Sequence, residues 1–281
     1  MDYQHQEWID NLRLIYQEVV EGFSPCKDVY FKHFTDVENI EILRKQKEFF
    51  DSLVKEGVPT QKERLKLLIE NDDWSKEKDD RIIELRLMIS DNEKNLPTIL
   101  QQMRGGIEKA IQKDREELKK IVHEKYELLG STADEISQRN ANQYQLFLSI
   151  CKDKRGAKKF SSWEEFESLE QDDLNSLTND YNETLARITE EKLREISILP
   201  LFLQKLSFAK DRFNTFFERS YICDLTSFQI NLLSMGQRNY NVLTQSKGNP
   251  PELIGATTPR EVITWYDQQY SIMLSKLQNS K

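Results

Sequence analysis

Glycine and proline are scarce in this 281-residue chain, nine and seven residues respectively. All-β sandwiches, barrels and propellers use both freely in tight turns, and collagen-like or low-complexity chains use more still. Neither class fits. Cysteine is as rare: Cys26, Cys151 and Cys223 lie far apart and form no C-x-x-C pair. They supply neither a disulfide framework nor metal-ligand spacing, and the expected setting is a reducing cytoplasm. Histidine is limited to His5, His33 and His123. The Glu-x-x-His pairs of helical metal centres are missing, because Lys120 stands three residues before His123. No metal and no cofactor are expected. Long apolar runs are missing too. The most apolar stretch, Ile196 to Phe208, is interrupted by Pro200, Gln204, Lys205 and Ser207, well short of the ~18–20 apolar residues of a membrane span. Met1 to Glu7 has neither the basic nor the apolar region of a signal peptide.

What is present points to helices. Charged residues make 31% of the chain against 38% hydrophobic, with a net charge of −8. Helix-start signals recur: Thr60-Gln61-Lys62-Glu63, Thr132-Ala133-Asp134-Glu135 and Ser162-Trp163-Glu164-Glu165 read as capping boxes, in which hydroxyl and acid satisfy each other's free amides. Thr258-Pro259-Arg260-Glu261 adds proline at the first helical position. Apolar spacing then predicts helices over about 7–21, with Trp8, Leu12, Ile15 and Val19 on one face, and over 37–55, with Ile40, Leu43, Lys47, Phe50 and Val54. Further helices are predicted over 61–70, 133–151, 163–169, 172–187, 190–206 and from Asp224 toward Gly236, and a last one over 260–277 beyond the Pro/Gly-rich linker 247–258.

The most regular pattern is Ile82, Leu85, Ile89, Asn92, Leu96, Ile99, Met103, a heptad seam with one polar position of the kind that fixes register. Its phase slips at Gly105-Gly106 and resumes through Ile107, Ile111, Leu118, Val122, Lys125 and Leu129. Either the two glycines turn an antiparallel hairpin, or one long helix crosses them; two glycines inside a helix cost roughly 2 kcal/mol relative to alanines. The expected fold is all-α and elongated, with a coiled-coil-like helical hairpin and a smaller C-terminal helical bundle. Four consecutive regions are expected: 1–72 helical, 73–151 long helices, 152–246 a bundle, and 247–281 the linker and final helix.

No phosphate-binding glycine loop, G-x-S-x-G elbow or grouped Ser, His and Asp appears. Glu116-Glu117 and Asp172-Asp173 are sequence neighbours that point about 100° apart on a helix, poor geometry for acid–base work. His33, among Tyr30, Phe31 and Phe34, is expected to be structural, and His123 a solvated neighbour of Glu127. The candidate partner-binding residues are therefore the seam Ile82, Leu85, Ile89 and Asn92, the aromatic block with Phe213, Phe216, Phe217 and Tyr221, and Trp265, Tyr266 and Tyr270 on the final helix. Lys152, Lys154, Arg155, Lys158 and Lys159 form a basic turn that could contact an anion. It is followed between Ser161 and Glu195 by eleven acids against three bases. That juxtaposition suits pairing between protein surfaces better than tracking a nucleic acid.

The run Phe216-Phe217-Glu218-Arg219-Ser220-Tyr221-Ile222-Cys223-Asp224-Leu225-Thr226-Ser227-Phe228-Gln229, then Leu232-Leu233-Ser234-Met235-Gly236, resembles helical tail, baseplate-hub and tail-assembly proteins of contractile-tailed bacteriophages. So does the order of a helical hairpin, a Ser162-Trp163-Glu164-Glu165-Phe166 segment and small acidic helices. The resemblance implies a virion component or assembly chaperone in the host cytoplasm, without an active site, and it assigns no functional residue. Protein partners are expected, in a homo-oligomer or larger assembly, with no membrane. The alternative is a regulatory or nucleic-acid-associated adaptor using the turn 152–159.

Overall fold

The computed structural model describes residues 3–96, 101–209, 212, 216–246, 248–251 and 258–279. They are mostly helical, in the order α1 (Tyr3–Glu21), β1 (Phe23–Cys26), β2 (Val29–Lys32), α2 (Asp36–Lys55), α3 (Gln61–Glu70), α4 (Lys76–Asn95), α5 (Gln101–Leu129), α6 (Ala133–Ser149), β3 (Ile150–Cys151), α7 (Trp163–Glu167), α8 (Gln171–Arg187), α9 (Glu190–Ser197), α10 (Pro200–Ala209), α11 (Ser227–Gln245) and α12 (Pro259–Asn279). The chain forms two compact units, one of residues 44–141 and one of residues 1–43 with 142–281. This differs from the four consecutive regions expected, because the first helix packs with the last third of the chain rather than with its sequence neighbours.

The capping signals act as local chemistry dictates. Thr60 and Glu63 close a full capping box at α3. Thr258 and Glu261 do so at α12, with Pro259 at the first helical position. At α7 the Ser162 hydroxyl accepts from the Glu165 amide, but Glu165 reaches one residue further back, to Ser161. At α6 Thr132 accepts from the Glu135 amide while the Glu135 carboxylate takes the Tyr126 hydroxyl instead. The single helix predicted over 190–206 is two. Pro200 has no amide hydrogen to donate and its ring obstructs the preceding turn, so α9 stops and α10 starts at the proline.

In the unit 44–141, α4 and α5 run antiparallel. Their rungs are Lys78–Glu124 at 2.6 Å, Arg81–Glu117 at 2.7 Å and Arg115–Glu93 at 2.6 Å, so numbers rise on one helix as they fall on the other. Leu68 and Trp74 join Ile82 and Leu129 in the core between them. Gly105 and Gly106 are not the turn; they lie inside α5. Pro97 and Ile99 fall outside the described residues. On α2 the spacing predicts a buried face through Ile40 and Leu43, but these are 65% and 62% exposed, whereas Ile42 is buried.

The other unit has two cores. In the larger, α1 presents Leu12, Ile15 and Val19 to α9, α10, α11 and α12. In the second, a small antiparallel sheet of order β1-β2-β3 packs beneath α6, α7 and α8. Composition alone gave no sign of this sheet. Its β1–β2 link is a two-residue turn with Lys27 at φ 48°, the left-handed region that such hairpins require. Trp163 and Phe166 stack at 5.4 Å, and both rings pack on Phe147. The Trp163–Phe166 segment therefore anchors this second core.

Candidate functional site

The residues expected to meet a partner fall into different surroundings. Ile82, Leu85 and Ile89 are buried within the unit 44–141, and Asn92 is half-buried. That seam is spent inside the chain, because the antiparallel α4–α5 pair supplies its own cover. Phe217, Tyr266 and the ring of Phe216 are likewise taken into the larger core. Phe216 lies edge-on to Phe202 and to Phe217, at 5.7 and 4.9 Å. Trp265 and Tyr270 are half-buried on α12, with the Arg238 guanidinium over the Tyr270 ring at 5.3 Å. Tyr221 alone of these stands largely exposed, at 69%. Phe213 lies outside the described residues.

The basic turn is a built structure. Asp153 Oδ1 accepts from the Arg155 and Ala157 amides, and Gly156 takes φ 81° to close the loop. Lys152, Arg155 and Lys158 are exposed and Lys159 is half-buried. Lys154 is committed to Glu21 at 2.7 Å; the hydrogen bond and charge hold the Glu21 carboxyl below its ordinary range despite partial burial, and raise the Lys154 ammonium. Of the other four, Lys152 lends its charge to Glu165, and Arg155, Lys158 and Lys159 form no ion pair among the described residues.

Two constellations escaped the sequence reading. The first joins the end of α1 to the sheet. Ser24, fully buried, donates its hydroxyl proton to Glu18 at 2.6 Å and sits 2.8 Å from His33 Nε2. A serine hydroxyl has one proton, so His33 must carry its own on Nε2. Here serine stands between the acid and the imidazole, whereas in a nucleophile triad the imidazole stands between serine and acid. Burial pushes the His33 imidazole down to about 4, so it is neutral, and Nδ1 is left as a buried acceptor with no hydrogen bond. The ring packs edge-on to Phe228 at 5.1 Å. Nothing in the spacing of Glu18, Ser24 and His33 announces their meeting.

The second is a cavity of about 750 Å³ in the larger core. Trp8, Leu12 and Tyr16 of α1 form one wall, Phe202 and Leu203 of α10 another, and Tyr240 and Tyr266 close it from α11 and α12. Trp8 turns its indole N–H away, to the buried Glu195 carboxylate at 3.0 Å. Arg13 and Lys205 are the charged residues at the lining, and both are cations. The stripe Trp8, Leu12, Ile15, Val19 was legible as an apolar face. That its partners would leave a space was not, because the shortfall depends on helices almost two hundred residues away.

No protein-family model matches the chain, and neither a curated protein nor a solved structure does. Among the described residues no helix is long and apolar enough to cross a membrane.

Proposed function

We propose that this chain is a non-enzymatic structural or assembly protein that acts through protein–protein contacts. The observation that carries the reading is the outer face of α4. Ile83 and Leu87, one turn apart, are 58% and 60% exposed with Met88 beside them, while Ile82, Leu85 and Ile89 are already buried. Single exposed apolar residues are ordinary, but an uncovered helical row is what a partner surface buries. Val37, Ile40 and Leu43 on α2 make a second row of the same kind. In this reading the segment 82–129 behaves as a coiled-coil-like hairpin of an elongated molecule, and the α4 row meets its own counterpart on a second copy, a self-complementary contact across a two-fold axis. The resemblance to contractile-tail proteins supports the same reading, as a virion tail or baseplate component or an assembly chaperone.

Size-exclusion chromatography with light scattering tests it. A concentration-dependent oligomer is expected, shifted to monomer by Ile83→Lys with Leu87→Lys. A strict monomer at every concentration, with no co-purifying partner, counts against the proposal. The exposed Lys152, Arg155 and Lys158 on their braced turn favour a second reading, a polyanion-binding adaptor. That reading requires salt-sensitive binding of a polyanion that is lost in Lys158→Glu with Lys159→Glu.

A further inference from the structure

From the cavity of the larger core we infer a binding site for a free long-chain carboxylate, its alkyl tail within the apolar walls and its head at Lys205. The volume lies within the ordinary range for small-ligand sites, which are mostly apolar with a few placed polar groups. Those groups are present and of one kind. Tyr266 is 2% exposed, lines the cavity, and its hydroxyl makes no hydrogen bond among the described residues. Tyr16 and Tyr240 line the same space, and their hydroxyls make no hydrogen bond among the described residues either, so each phenol can offer its proton. Burial raises the Tyr266 phenol to about 12 and pushes Tyr16 upward, so both stay protonated donors at neutral pH.

Charge selects the class of oxygen. In a chain of net charge −8, no carboxylate among the described residues lines this space, whereas Arg13 and Lys205 do. Arg13 is shared with Asp10 at 3.3 Å. Lys205 has no carboxylate within ion-pair distance among the described residues and sits over the Tyr16 ring, 5.7 Å from its centroid. Phenol hydroxyls and an ammonium on one lining are all donors, the complement of a carboxylate. An apolar body with an anionic oxygen end fits walls and mouth at once; a cationic or purely hydrocarbon ligand fits only one of them. None of the residues lining this cavity belongs to the α4 row, so the failure of either proposal leaves the other intact.

The experiment is calorimetric titration of the full chain with palmitate below its aggregation concentration, alongside 1-hexadecanol of equal chain length. One site per chain is expected, with palmitate the tighter. Lys205→Glu should weaken palmitate about tenfold or more, and Tyr266→Phe about fivefold, with hexadecanol little changed by Lys205→Glu. Both variants keep the apolar packing, and unchanged thermal midpoints confirm that they fold. A brominated palmitate should quench a tryptophan component that disappears in Trp8→Phe, placing the tail in this cavity. The inference is overturned if palmitate gives no saturable heat, if the two ligands bind alike and Lys205→Glu changes neither, or if the only association is with anionic vesicles. It is equally overturned if an acidic amphipathic peptide occupies the site and palmitate does not.

Discussion

His33 shows how one buried side chain sets a pH response for the whole fold. Its imidazole is neutral in the folded chain, with a pKa near 4 against an ordinary 6.5. Below 6.5 the unfolded chain takes up a proton that the folded chain refuses until about pH 4. The stabilisation is therefore complete above pH 6.5, fades as pH falls, and is gone below pH 4, a loss of about 3 kcal/mol for a shift of this size. Urea titrations between pH 7 and 4 should show it, and His33→Gln should flatten that slope by close to one proton; an unchanged slope in the variant would refute the assignment. Gln229 acts at the same scale without titrating. Its carbonyl oxygen accepts from the Thr226 amide at the start of α11, while its amide donates to the Val19 and Val20 carbonyls at the end of α1, at 2.9 and 3.0 Å. One side chain thus caps two helices, reaching carbonyls 209 and 210 positions before it in sequence.

Among the elements, the glycines separate what is legible in a sequence from what is not. Gly105 and Gly106 look like a turn because two adjacent glycines are poor helix formers, yet they sit in α5 with open space around each. The ladder of charged rungs and the apolar stripe along α5 outweigh the local propensity. Gly105→Ala or Gly106→Ala should each stabilise the protein by about 0.5–1 kcal/mol, since nothing opposes the added methyl. Gly236, also helical, is the opposite case: a Cβ there would overlap the Phe202 ring and come within 3.0 Å of Leu206. Gly236→Ala should cost about 1–3 kcal/mol through overpacking. Denaturant unfolding of the three variants checks both signs, and a stabilised Gly236→Ala would contradict the packing described. Helix starts were readable because a cap is settled within four residues, as at Thr60 and Thr258. The three-stranded sheet was not, because β3 contributes only Ile150 and Cys151, too short to show alternation. The cavity was hidden for a different reason: which of two apolar faces stays uncovered is decided by distant helices, as the exposed Ile40 beside the buried Ile42 also shows.

At the scale of the molecule, both passages between the two units fall within helices, α2 and α6, rather than in loops. Each unit has its own core, so native-state hydrogen exchange in increasing urea should resolve two opening free energies, the larger unit with the steeper urea dependence. A single common isotherm for all protected amides would show one cooperative body instead. The larger unit is also discontinuous. Trp8 of α1 bonds Glu195, 187 positions later, and Val262 and Tyr266 complete the same core. On a ribosome, synthesis at about 5–20 residues per second leaves Leu12, Ile15 and Val19 emerged but uncovered for roughly ten to forty seconds. During that interval the nascent amphipathic segment is a ready substrate for chaperones and for like segments on neighbouring polysomes, so the yield of active protein in cells will depend on translation speed and on holdase capacity more than on the final stability of the fold.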